Sequence, residues 1–202
     1  MAEFERAARA GKLLTDAFRI VANSASDSRQ TARMSKQMNK VIKSDPLNDR
    51  GQRKPSEGNL QLLRGFEFNV DAALTKIFTP SYKATIDRAT GTLKVDIPAF
   101  ATKKGLRAPL KATHFSIVCA GAELNFDTEV RNNADFSTDK LVYGMDNTQA
   151  VSLSVVLTPN STDVLFLALG VEFYQFSNNK YYPLDNGAYN AVKIIEVDAP
   201  NP

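Results

Sequence analysis

One histidine, His114, and one cysteine, Cys119, are the residues best placed by type for nucleophilic or metal chemistry. A serine or cysteine triad would need His114 as its base. The run His114-Phe115-Ser116-Ile117-Val118-Cys119 alternates with a period of two and predicts a strand, so residues five apart fall on opposite faces. His114 then reads as a surface sheet residue and Cys119 as a small core hydrophobe. One histidine and one cysteine also fall short of a structural zinc site within one chain. Asp127 and Glu129, two apart in a predicted loop, offer oxygens to a hard cation, but no calcium-loop spacing follows them. There is no glycine-rich phosphate cradle. Asn160-Ser161-Thr162 matches a glycosylation acceptor, yet beside Pro159 it reads better as turn chemistry. These residues predict a non-enzymatic protein with no cofactor and no metal.

Two constellations suggest binding. On a predicted helix running to about Ser44, a step of 100° per residue gathers Arg29, Arg33, Lys36, Lys40 and Lys43 on one face, opposite Met34, Met38, Val41 and Ile42. An unbroken basic face suits phosphate, an acidic partner or an anionic membrane. It better suits the solvated side of a helix that packs through its methionines, since five charges are few and no aromatic residues interleave for base stacking. The second constellation is the last hairpin, where Tyr174, Phe176, Tyr181, Tyr182 and Tyr189 accompany Asn178, Asn179, Asp185 and Asn186. Rings and amides together could hold a sugar or a protein partner, or the tyrosines could simply cap the open end of a core. The absence of tryptophan weakens the sugar reading.

The elements that must position these residues divide the chain in two. Residues 3–22 predict a helix, with Phe4, Ala7, Ala8, Leu14, Ala17, Phe18 and Val21 on its apolar side. Ser26 or Asp27 suits the N-cap of the basic helix, which Asp45-Pro46 ends. A polar connector, 47–57, and one helical turn at 59–63 follow.

From Gly65 the period becomes two. A short strand at 65–69 is followed by a hairpin with Tyr82, Ala84, Ile86, Leu93, Val95 and Ile97 inward. After the basic loop 103–107 comes the His114 strand, with Gly121 as a bend and Leu124 and Phe126 continuing it. Residues 127–147 read as polar and irregular, apart from a short strand at 140–143. Val151, Leu153, Val155 and Leu157 alternate with polar neighbours in a half-exposed strand. The central strand is 164–176, where Leu165, Leu167, Leu169, Val171 and Phe173 form one wholly apolar side. Residues 191–197 close the sheet, and 199–202 fray. The expected fold is α+β, mainly β: a helical region, 1–64, followed by an antiparallel sandwich, 65–202, of about seven main strands. Its expected topology is immunoglobulin- or fibronectin-III-like, although the Cys-Trp-Cys signature is absent.

Charge follows the same boundary. Residues 1–64 hold 13 Lys+Arg against 7 Asp+Glu, and residues 65–202 hold 12 against 15. The full 202 residues, 43% hydrophobic and 23% charged, suit one large globular domain or one with a smaller appendage. No apolar run is long enough to span a membrane, the acidic start is unlike a secretory signal, and a lone cysteine points to a cytoplasmic setting.

The segments 65–69, 84–100, 112–118, 165–175 and 182–191 together resemble an uncharacterised family of small bacterial proteins without signal peptides. The resemblance covers nearly the whole chain and implies no activity and no site residues. Members carry a further glycine-rich, strand-like N-terminal segment, which implies that Met1 is here an internal position.

The functional expectation is a structural or assembly protein that self-associates through its sandwich and helices. Unpaired sheet edges and the opposite charge of its two parts favour contacts between copies. The alternatives are a polyanion-binding module using the basic helix face, with nucleic acid not favoured, and a carbohydrate-binding module using the tyrosine hairpin.

Overall fold

The computed structural model describes residues 2–144 and 147–200; Met1, Met145, Asp146, Asn201 and Pro202, and the side chains of Asp185 and Asn186, lie outside the described residues. Helices α1 (Ala2–Ala17), α2 (Arg19–Ser24) and α3 (Gln30–Lys43) come first, then a 3-10 turn at Leu60–Leu63 and the short helix α4 (Leu74–Ile77). Strands β1 (Lys83–Asp87) and β2 (Thr92–Ile97) precede the short helix α5 (Thr102–Gly105). After these come β3 (His114–Asn125), β4 (Val130–Ser137), β5 (Leu141–Val142), β6 (Val151–Val156), β7 (Val164–Ser177), β8 (Lys180–Pro183), a 3-10 turn at Leu184–Gly187 and β9 (Ala191–Asp198).

All strand pairs are antiparallel. A small sheet runs β1-β2-β6, and a larger six-stranded sheet is centred on β3 and β7, paired from His114↔Tyr174 to Leu124↔Val164. Strands β4 and β5 share the outer edge of β3, while β8 and β9 share the outer edge of β7. The sheets face each other across a core that includes Leu93, Val95, Leu153 and Val155 on one side and Ile117, Cys119, Leu167 and Leu169 on the other. The larger sheet's second face is covered by the helices, with Leu14, Phe18, Met34 and Met38 packed against Ala120, Phe166, Ala168 and Ile194. The molecule is therefore mixed α and β, mainly β, in three layers: small sheet, large sheet, helices.

That third layer explains the composition of β3 and β7. A strand covered on both sides needs apolar residues at odd and even positions, and β7 is buried without interruption from Val164 to Val171. The basic N-terminal helices dock on this chain's own sheet, burying Met34, Met38, Val41 and Ile42 as their spacing requires.

Several expectations are corrected. The first predicted helix is two helices broken at Phe18, whose buried ring meets Phe68 edge-on. Phe4 is exposed, because the helix joins the core only from Ala7 onward. Tyr82 is exposed, lying just ahead of β1. Residues 65–69 form a single bridge, Glu67↔Lys193, although the backbone of Gly65, Phe66 and Phe68 bonds to Ile194 and Val192 and so covers the outer edge of β9. Gly121 does not bend its strand, since β3 keeps register with β4 and β7 on both sides of it. The stretch predicted irregular contains β4, a regular edge strand. Nine strands occur among the described residues, two of them, β5 and β8, of four residues or fewer, beside the seven or so main ones expected.

Candidate functional site

Strand β7 outruns the helical layer. The helices turn away at Ser24, whose Oγ lies 2.5 Å from Glu172 Oε1. Tyr174 donates its hydroxyl to the other carboxylate oxygen at 2.5 Å. Burial, reinforced by this acceptor, pushes the Tyr174 phenol up to about 12, so it is a fixed donor rather than a base near neutral pH. Lys140 places its ammonium 4.3 Å over the Tyr174 ring, within cation–π range.

Beyond Tyr174 the same sheet face carries an open aromatic cluster. Phe176 stands directly opposite Tyr181 across β7 and β8, with ring centroids 4.8 Å apart. His114 lies 5.0 Å from Tyr181 and 5.5 Å from Phe176, and its Nδ1 is 3.0 Å from Thr113 Oγ1. His114 thus begins β3 at the end of the sheet, rather than in its middle. Phe176, Tyr181 and the neighbouring Val142 remain 40–45% exposed. Tilted and edge-on rings that keep part of their surface in water, with a cation and a neutral phenol beside them, can pack against planar or apolar groups.

The tyrosine constellation is only partly assembled. Tyr174 and Tyr181 share this face, whereas Tyr182 pairs with Gln175 and projects from the other. Tyr189 lies between the second 3-10 turn and β9, with no ring contact to the cluster among the described residues. Asn178 and Asn179 form the β7–β8 turn with φ of 49° and 59°, the left-handed backbone that asparagine tolerates. The side chains of Asp185 and Asn186 lie outside the described residues.

The basic stripe also divides. Arg33 is turned inward: its guanidinium lies 5.1 Å over Phe66, donates to the carbonyls of Glu67 (2.7 Å) and Phe68 (3.0 Å), and pairs with Asp27. Arg29, Lys36, Lys40 and Lys43 are exposed and enter no salt bridge among the described residues.

Much of the other buried polar chemistry serves the fold. Cys119 is fully buried on the face opposite His114, and burial raises its thiol to about 12, which removes the thiolate that nucleophilic attack requires. Glu123 sits on β3 under the β6–β7 turn. Burial would raise its carboxyl, but Ser161, Thr158 and Asn132 outweigh this and hold it below the ordinary range. Arg88, at the β1–β2 hairpin, donates to the carbonyls of Ser161 (2.6 Å), Asp163 (2.8 Å) and Asp198 (2.8 Å), tying both sheets together. Asp127 meets Lys54 at 3.6 Å, and no group of three or more metal-ligating side chains occurs among the described residues. A cavity of about 570 Å³ opens beside Leu47, Leu60 and Phe126, its acids including Glu57 and Asp163, with no histidine or cysteine in its lining.

Sequence reasoning missed Lys140 and the exposed strand β4. A strand open on both faces has no apolar alternation to reveal it. No protein-family model and no curated protein matches the chain. Among the described residues, no helix is long and apolar enough to cross a membrane.

Proposed function

We propose that this chain is a non-enzymatic structural protein that assembles with copies of itself through the margins of its larger sheet. The observation that carries the reading is where large apolar side chains meet water. Val130 and Phe136 on β4 are exposed on the small-sheet side of the larger sheet, and Val142 on β5, Phe176 on β7 and Tyr181 on β8 are exposed on its helical side. The small sheet's outer face is polar in comparison, presenting Lys83, Thr85, Lys94, Asp96, Ser152 and Ser154 with Val156 as its exposed apolar residue. Exposed apolar groups along both faces of a sheet margin suit contact with a partner. The likeness to an immunoglobulin or fibronectin-III sandwich is proposed for the two facing sheets alone, since the helical layer lies outside that comparison. A cytoplasmic setting and the resemblance to an uncharacterised bacterial family belong to the same proposal.

Light scattering over a concentration series, at low and high salt, tests it. The expected result is a mass that rises with concentration and persists in high salt, because apolar contacts are screened little. A monomer throughout would remove the reading.

A second reading rests on four exposed cations, Arg29 at the N-cap of α3 and Lys36, Lys40 and Lys43 within it. It expects heparin binding that weakens steeply with salt and is lost in the combined variant Lys36→Glu with Lys40→Glu. Unchanged binding in that variant would exclude the stripe. For carbohydrate, the separation of Tyr182 and Tyr189 from Tyr181 leaves a smaller platform than the sequence promised.

A further inference from the structure

Strand β4 is bonded along one edge only. It keeps an unbroken register with β3, from Val118↔Ser137 to Asn125↔Val130, and no strand pairs with its other edge among the described residues. Every residue in it is exposed except the half-buried Ala134. A bare edge is a template for another strand, and proteins usually blunt it with lysine, proline, a bulge or a cover. Strand β4 has no lysine and no proline, its pairing shows no bulge, and its two charges, Arg131 and Asp135, are opposite in sign and so do not repel a second copy. Most other edges are treated differently: residues 65–68 cover β9, β8 is four residues long and ends in Pro183, and β1 begins with Lys83, whereas β6, the far edge of the small sheet, shares with β4 the lack of lysine and proline.

The sequence of β4, Val130-Arg131-Asn132-Asn133-Ala134-Asp135-Phe136, is complementary to itself when reversed about Asn133. Antiparallel pairing on that centre sets Val130 against the partner subunit's Phe136 and Arg131 against the partner subunit's Asp135. Asn132 then meets the partner subunit's Ala134, and Asn133 meets its own counterpart. Directly opposed residues of an antiparallel pair share a face, so each apolar pair and each charge pair forms twice, once on either side of the axis. Arg131, Asn133 and Asp135 pair with Leu124, Ala122 and Ala120 of β3, which places them on the helical side. There Ile20, 64% exposed, lines a small cleft with Asn133 and Asp135 and adds an apolar contact near the axis. Arg131 meets Asp16 of its own chain at 3.5 Å but keeps 42% of its side chain exposed, leaving donors for a second carboxylate.

We infer that two copies of this chain pair through β4, antiparallel and centred on Asn133, to make one continuous sheet. The inference rests on the self-association proposed above and names its interface.

Sedimentation velocity on the full chain and three variants tests it. Arg131→Asp and Asp135→Arg each set like charges opposite one another and should weaken the dimer about tenfold or more. The double variant Arg131→Asp with Asp135→Arg restores opposite charges and should recover the dimer, which also shows that the strand still folds. Asn133→Cys should form a disulfide-linked dimer under mild oxidation, whereas Thr85→Cys on the small sheet should not; Cys119 is buried and does not compete. Association unchanged in both single variants would overturn the β4 interface while leaving self-assembly standing. Loss of association in the double variant as well would overturn the register. A strictly monomeric parent chain would overturn both readings.

Discussion

Asp45 shows how a single residue is spent in this molecule. It accepts the backbone N–H groups of Leu47 (2.8 Å), Asn48 (3.1 Å) and Lys54 (2.8 Å), and the Asn48 amide at 2.9 Å, holding the loop after α3 closed. Burial alone would raise its carboxyl, but these donors outweigh burial and bring it from the ordinary 3.8 down to about 2. A carboxylate lowered in the folded state contributes stability above its unfolded value and loses it as pH falls through its folded value. The stability gap between the parent chain and Asp45→Asn should therefore be constant above about pH 5 and shrink toward pH 2, as read by urea unfolding at each pH. A gap independent of pH across that window would contradict the role. The sequence marked Asp45-Pro46 as a helix stop, but the reach to Lys54 depends on how the loop folds back, which no local pattern encodes. Arg33 teaches the same lesson: its helical angle put it in the basic stripe, while its partners, Asp27, Glu67 and Phe68, include residues far along the chain.

At the scale of elements, period-two patterns identified every strand with one wet and one dry face. The β1–β2 hairpin and β6 are paired through Ile86↔Leu93, Ala84↔Val95 and Val95↔Leu153, with their alternate residues inward as expected. The pattern is silent about strands wet on both faces and says less where both faces are dry. Strand β4 is wet on both, so it resembled a loop; β3 is dry on both, so Gly121 was read as a bend. The glycine has another cause. A Cβ there would meet Val155 Cγ2 at 2.8 Å and Leu93 Cδ2 at 3.1 Å, because the small sheet lies directly over it. Gly121→Ala should therefore cost about 1–3 kcal/mol, the usual range for overpacking, measured as a lower urea midpoint at unchanged slope. An unchanged midpoint would mean the two sheets sit farther apart than described.

At the scale of the whole molecule, the charge boundary near residue 64 separated the basic helices from the slightly acidic sheets, yet the two stretches share one core through Leu14, Met38, Ala120 and Phe166. Complementary charge favoured contact between the parts, and the apolar face of α3 places that contact within the chain. The contacts between copies proposed above would use what the helices do not cover: the edge of β4 and the rings beyond Ser24. Hydrogen exchange of the intact protein, compared between dilute and concentrated solution, tests this most directly, because a strand edge that gains a partner must slow its amide exchange. The expected result is slower exchange confined to β4 and the adjacent margin at high concentration, with β1 and α3 unchanged. Identical exchange across β4 at both concentrations would contradict it.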